Sequence, residues 1–319
     1  MKVLLAALVG VLVVTAPAHG QDWPTRTVKV IVPFGAGSTP DAVARLVADK
    51  LQQKLGHPFV IENKPGASGN TGTDAIAKAE PDGYTIGLSI GGPLAVNTLL
   101  FAKLPYDPAK DLALITMLTT QPSALAVPAS LGVDNVAALV ELIRREPGKY
   151  NFGSIGNGSL SHLAMEAIAQ KSGTKLVHIP YGSSPQAMTA VIRGDVQLVV
   201  MPAISVTPHV ASGAVKMLAV TTAKRSPLLP DVPTLKEAGI DVEADAWNGL
   251  VAPAGTPPAV LAKIGREVVE ALHAPDVREK LSAQIMEPVG NTPAEFRAWI
   301  ERDLARWGAV IQAAGIKIN

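Results

Sequence analysis

Four loops in this 319-residue chain carry residue types suited to holding a small anion. The first, Pro33-Phe34-Gly35-Ala36-Gly37-Ser38-Thr39-Pro40-Asp41, sets two glycines before a helix start. Thr39 suits the N-cap, Pro40 the first helical position, and Asp41 the positive end of the helix dipole. The unbonded N–H groups of such a start attract a carboxylate or phosphate. A counterpart runs from Gly153 to His162, where Asn157, Ser159 and Ser161 offer side-chain donors. In the same stretch His162 leads into Leu163-Ala164-Met165 and reads as a structural histidine. Pro180-Tyr181-Gly182-Ser183-Ser184-Pro185 adds an aromatic ring and two hydroxyls. The fourth loop, Gly87-Leu88-Ser89-Ile90-Gly91-Gly92-Pro93, matches G-x-S-x-G, the nucleophile elbow of hydrolases.

Two enzymatic readings compete with anion binding. Gly35-x-Gly37 nearly spells a dinucleotide fingerprint, but Pro40 replaces the third glycine, which close helix–strand packing needs. A secreted serine hydrolase using Ser89 would need an Asp and a His downstream, and both residue types occur there. Gly92-Pro93 nevertheless continues poorly into the helix an elbow requires, and no HGGG-like segment precedes it. The histidines are scattered, there is no cysteine, and no metal-ligand spacing occurs. The remaining donors are neutral, which favours holding an anion over transforming it, with no cofactor.

These loops are placed by alternating elements. Val28 to Val32 is β-rich, and Pro40 to Lys54 carries Val43, Leu46, Val47 and Leu51 at helical spacing. Strands at Phe59 to Ile61 and Tyr84 to Leu88 flank a short helix at Thr73 to Ala79. A second set follows: helices at Val136 to Arg145, Leu160 to Lys171 and Gln186 to Arg193, interleaved with strands. Further helices are predicted at Thr234 to Ala238, Pro257 to Leu272 and Thr292 to Ala313, the last opened by a capping box. The order predicts an α/β protein of two mainly parallel sheets, each flanked by helices. Ligands of such sheets sit outside the strands' carboxyl ends.

Met1 to Gly20 has one positive charge, an apolar run and small residues before a cut, the pattern of a secretory signal peptide. Its run is shorter than the about 20 apolar residues that span a bilayer. Formal charge is +1, with 17% charged residues, so neither nucleic acid nor an acidic membrane surface is an expected partner. The long apolar stretch Leu112 to Val127 suits a crossing between lobes, with a return near Val220 to Leu228. The expected organisation is a signal peptide at 1–20, one lobe from 21–121 with 225–319, and a second from 122–224.

Many segments, in order, resemble the substrate-binding proteins of tripartite tricarboxylate transporters, the Bug or TctC-like family. They include Trp23-Pro24-Thr25-Arg26, Val32 to Gly37, Glu62 to Asn70, Pro81-Asp82-Gly83-Tyr84 and Tyr106-Asp107-Pro108. Others are Gly156 to Ser159, Pro180-Tyr181, Ala223 to Pro227, Asp231 to Thr234 and Ala252 to Pro257. The resemblance implies a periplasmic two-lobed Venus-flytrap fold without catalysis. It would act as a monomer, binding a di-, tri- or aromatic carboxylate and serving integral membrane transporter subunits. A sensor subunit feeding a kinase is a different class that would need its own docking partner.

By resemblance the ligand contacts are Phe34, Gly37, Ser38 and Thr39, then Ser89, Ile90 and Gly91, then Asn157, Gly158, Ser159, Leu160 and Ser161, and Tyr181. Ser38 and Ser183 stand where the family usually has glycine. Met201 stands where the family commonly has an aspartate fit to receive an ammonium, so amino acids are expected to be disfavoured.

Overall fold

The structure, a computed structural model, describes residues 23–318, so the expected signal peptide lies outside the described residues. The chain runs β1 (Val28–Val32), α1 (Thr39–Leu55), β2 (Phe59–Asn63), α2 (Asn70–Ala77), β3 (Thr85–Ile90) and α3 (Asn97–Leu100). Next come β4 (Leu112–Gln121), β5 (Ser123–Pro128), α4 (Val136–Arg145), β6 (Asn151–Ser154), α5 (Leu160–Ser172) and β7 (Val177–Pro180). Then follow α6 (Ser184–Arg193), β8 (Leu198–Pro202), α7 (Ala203–Ala211), β9 (Val215–Val220) and β10 (Ala246–Pro253). The chain closes with α8 (Pro258–His273), α9 (Pro275–Ser282), β11 (Glu287–Pro288) and α10 (Pro293–Ala314).

Two mixed sheets result, ordered β11-β4-β10-β3-β1-β2 and β7-β6-β8-β5-β9. In the first, β10 pairs antiparallel with both β3 and β4, so β1 to β4 share one direction. In the second only β5 is reversed, pairing antiparallel with β8 and β9. The expected parallel character therefore holds, with reversed strands inserted where the chain changes sheet.

Small residues let the layers approach. A Cβ on Gly87 of β3 would fall 2.0 Å from Ile76 Cδ1 of α2, and one on Gly249 of β10 would fall 2.2 Å from Phe296 Cζ of α10. Helix α10 opens with the expected capping box, Thr292 and Glu295 each bonding the other's N–H. Its Trp307, Val310 and Ile311 join a core that also holds Ala95, Val96 and Leu100 beside the first sheet and Leu125, Phe152 and Leu163 of the second. One helix thus ties both layers together.

Two expectations of local structure change. Thr234 to Ala238 is a turn rather than a helix. Its first N–H groups bond within Thr234 and Glu237, but Gly239 stops it after one turn, before enough backbone bonds offset nucleation. Ser38 rather than Thr39 stands at the N-cap position of the first helix, without a side-chain cap, and Thr39 is already helical.

Candidate functional site

Strand register sets where the loops must lie. In the first sheet Ala246 pairs with Gln121, and two residues on Asn248 pairs with Ile90, so β3 and β4 end together. In the second sheet Ser123, the first residue of β5, pairs with Pro202, the last of β8. Only Pro122 separates β4 from β5. The carboxyl ends of β1, β3, β6, β7 and β8 therefore converge on this crossing from opposite sides. A second strand of chain runs beside it: Thr221 N–H donates to Ser123 O (2.9 Å) and Ala244 N–H to Thr221 O (3.0 Å). This cleft edge is where ligands of open α/β sheets bind.

The loop after β1 is braced from beneath by Asp41. Its Oδ2 accepts from Gly37 N–H (2.9 Å) and Arg45 Nε (2.9 Å), and its Oδ1 accepts from Asn63 Nδ2 (2.9 Å). Burial pushes this carboxyl upward, but the bonds from Arg45, Gly37 and Asn63 outweigh it and hold Asp41 below the usual range. The Gly37 N–H is thereby used inside the loop. Ser38 adopts N-cap geometry without making a side-chain cap, and its buried Oγ has no hydrogen-bond partner. The first-turn N–H groups of Thr39 and Asp41 consequently lack a capping side chain. Phe34 leans toward Gly69, whose ideal Cβ would lie 2.8 Å from its Cζ, and so joins this loop to the start of α2.

The loop after β6 is more tightly knitted. Ser159 caps α5 by accepting from His162 N–H (3.3 Å) and donates to Gly156 O (2.7 Å). Its Oγ lies 3.0 Å from Ser161 Oγ, which accepts the Ile155 N–H (3.0 Å). Both hydroxyls are thus spent on shaping the loop, whereas Asn157 is exposed. A Cβ on Gly158 would lie 2.6 Å from Leu100 Cδ1 and 2.7 Å from Ile318 Cδ1, so this loop touches α3 and the chain's end across the layers. Leu160 is half-buried at the first helical position.

Of the other expected contacts, Ile90 and Gly91 are half-buried at the end of β3. The Trp247 indole lies beneath Gly91, 3.1 Å from an ideal Cβ, and donates its Nε1–H to Asp303 (2.7 Å). Tyr181 is half-buried after β7, its hydroxyl pKa raised by burial and then by Asp195. Two expected contacts are not at the cleft. Ser89 is 0% exposed inside β3, its Oγ 3.0 Å from Thr73 Oγ1 under α2. Met201 is 0% exposed in β8, packed among Ala124, Ala126 and Val199. Met201 is thus a core side chain and offers an ammonium no carboxylate.

The elbow reading is corrected too. Ser89 lies within a regular strand opposite Gly249, and Gly91 has ordinary right-handed helical angles, so no sharp turn exposes the hydroxyl. Sequence reasoning missed Thr222 and Asp245, which flank the second crossing and each carry a buried oxygen without a partner. Burial, then the Glu243 charge, raises the Asp245 carboxyl well above its usual range, which Arg306 only partly opposes. Nothing in the run Glu243-Ala244-Asp245-Ala246 signals this from sequence. Asn248 donates to Thr119 Oγ1 (2.9 Å). A separate open groove between α8 and the start of α10, lined by Leu114, Leu261, Val269 and Asn291, lies toward the other end of β4. Among the described residues no group of three or more His, Cys, Asp or Glu is placed to hold a metal.

Comparison with known proteins agrees with this geometry. Residues 43–316 match the model of the tripartite tricarboxylate transporter family receptor. Protein BugT of Bordetella pertussis is 35% identical over 321 residues, covering 99% of this chain and 98% of its own. Among solved structures, Rpa4515 of R. palustris with adipate superposes with a TM-score of 0.83 at 35% identity, covering 93% of this chain and 99% of that one. MatC of Rhodopseudomonas palustris with bound malate gives 0.77 at 30% identity, covering 91% and 100%. The fold is that of two-lobed periplasmic binding proteins, and this chain belongs to the tripartite tricarboxylate transporter receptor family.

Proposed function

We propose that this protein captures a small organic carboxylate between its two lobes in the periplasm and delivers it to integral membrane transporter subunits. The observation that carries the reading is the pair of glycine-rich helix starts on opposite sides of the crossing. One leaves the Thr39 and Asp41 amides uncapped and the other exposes Asn157. Such donors suit an anion because they supply oriented partial charge without a buried lysine or arginine that would need its own partner. The lobe limits of 21–121 with 225–319, and 122–224, belong to this reading, supported by β1 to β4, β10 and β11 sharing one sheet and β5 to β9 the other. Relatives whose structures hold adipate and malate support a dicarboxylate among the di-, tri- and aromatic acids.

Purified from the periplasmic fraction with Gln21 as its first residue, the protein is expected to melt higher with one such acid. Ligand at about 100 times Kd adds about 2.7 kcal/mol to the folded state. A thermal-shift screen of adipate, malate, citrate and benzoate against their neutral amides reads this. Equal midpoints with every acid, or equal shifts with acid and amide, would count against the proposal.

A further inference from the structure

Beneath the loop after β6 lies a stack of three rings, Phe152, His178 and His162. Phe152 and His178 have centroids 4.9 Å apart at 20°, and His178 and His162 are 3.8 Å apart at 11°. Each imidazole ends a hydrogen-bond chain that starts at a loop amide. Gly158 N–H donates to His162 Nδ1 at 3.0 Å. Gly156 N–H donates to Ser154 Oγ at 3.1 Å, and that Oγ is 2.6 Å from His178 Nε2. Ser154 is fully buried and His162 nearly so.

The first of these bonds fixes the tautomer of His162. An amide can only donate, so His162 Nδ1 must be an acceptor and its proton sits on Nε2, the side facing Glu166 Oε1 at 3.7 Å. Ser154 Oγ accepts the Gly156 N–H, also lies 3.2 Å from Gly156 O as a donor, and sits 2.6 Å from His178 Nε2, so the hydroxyl serves either tautomer of that ring. Burial, and then the neighbouring His162, holds His178 down to about 4, so it is neutral at neutral pH. The restraint acts where the backbone needs one, because Gly156 and Gly158 have φ of 134° and 71°.

We infer that the stacked His162–His178 pair is the positioning device of the second-lobe ligand loop. His162 directly, and His178 through Ser154, tie down Gly158 and Gly156 and so present Asn157 and the first turn of α5 to the ligand. The inference rests on the reading of this loop as a ligand contact. In it His162 touches no ligand and acts through Gly158.

Two measurements on the ligand-free protein and one on binding test it. Imidazole 15N shifts should report His162 as the Nε2–H form and His178 as neutral at pH 7. His162 in the Nδ1–H form, or a charged ring at pH 7, would overturn the inference. Amide hydrogen exchange over 155–159 should quicken about tenfold in His162→Leu, the loss of roughly one hydrogen bond. It should return to the wild-type rate in His162→Asn, whose Oδ1 takes the place of Nδ1. Adipate affinity by calorimetry should fall and recover in the same order. An Asn variant as fast as the Leu variant, or a Leu variant as slow as wild type, would overturn the positioning role. Failure of wild-type protein to bind any acid would instead count against the receptor reading, because the exchange and tautomer results stand without ligand.

Discussion

A serine hydroxyl can attack, cap or simply fill a polar gap, and at Ser89 the face of the strand decides. Alternation along β3 turns this side chain toward α2, where Thr73 is its partner. Ser89→Ala is therefore expected to cost about 1 kcal/mol of stability, the worth of one buried hydrogen bond, while ligand affinity stays within about twofold. Urea unfolding and calorimetry read the two quantities. An affinity loss beyond tenfold would return Ser89 to the site. The same kind of local decision marks the limit of what the sequence showed. The two helix starts were legible from glycines and hydroxyls before apolar periodicity. That Gly37, Ser159 and Ser161 bond inside their own loops was not, because those bonds depend on Asp41, Ile155 and Gly156 in folded positions. Met201, placed at the site by resemblance, lies on the core face of β8, and no spacing rule reports which face of a strand meets the core.

Elements show a similar division. Helix α10 was readable in full, since its capping box and stripe of Phe296, Trp307 and Ile311 are local signals. Strand β10 was not, for Gly249 and Asn248 weaken any strand pattern, and their reason lies in contacts with α10 and β4. The packing of β7 on α5 yields a prediction of its own through His178. Its folded pKa of about 4 lies below the ordinary 6.5. Between those values the unfolded chain binds more protons than the folded one, so this group's contribution to stability falls as pH drops through that window. Below about 4 both states are protonated and no further loss comes from this ring. Unfolding midpoints at pH 7 and pH 5 should differ more in wild type than in His178→Gln. Equal differences in the two proteins would contradict the assignment.

At the scale of the molecule, the arrangement follows from one short joint. Because only Pro122 stands between β4 and β5, the loop-bearing ends of both sheets must meet at the crossing, and α10 packs beside both. The four loops carry no lysine or arginine, so on the proposed reading an anion there would be held by amide and side-chain dipoles. The most direct measurement is a crystal structure of the protein with bound adipate. The account predicts a carboxylate oxygen within about 3 Å of the Thr39 or Asp41 amide and of donors between Asn157 and Ser161. Adipate seated instead in the groove between α8 and α10, or paired with a lysine or arginine side chain outside the cleft, would contradict it.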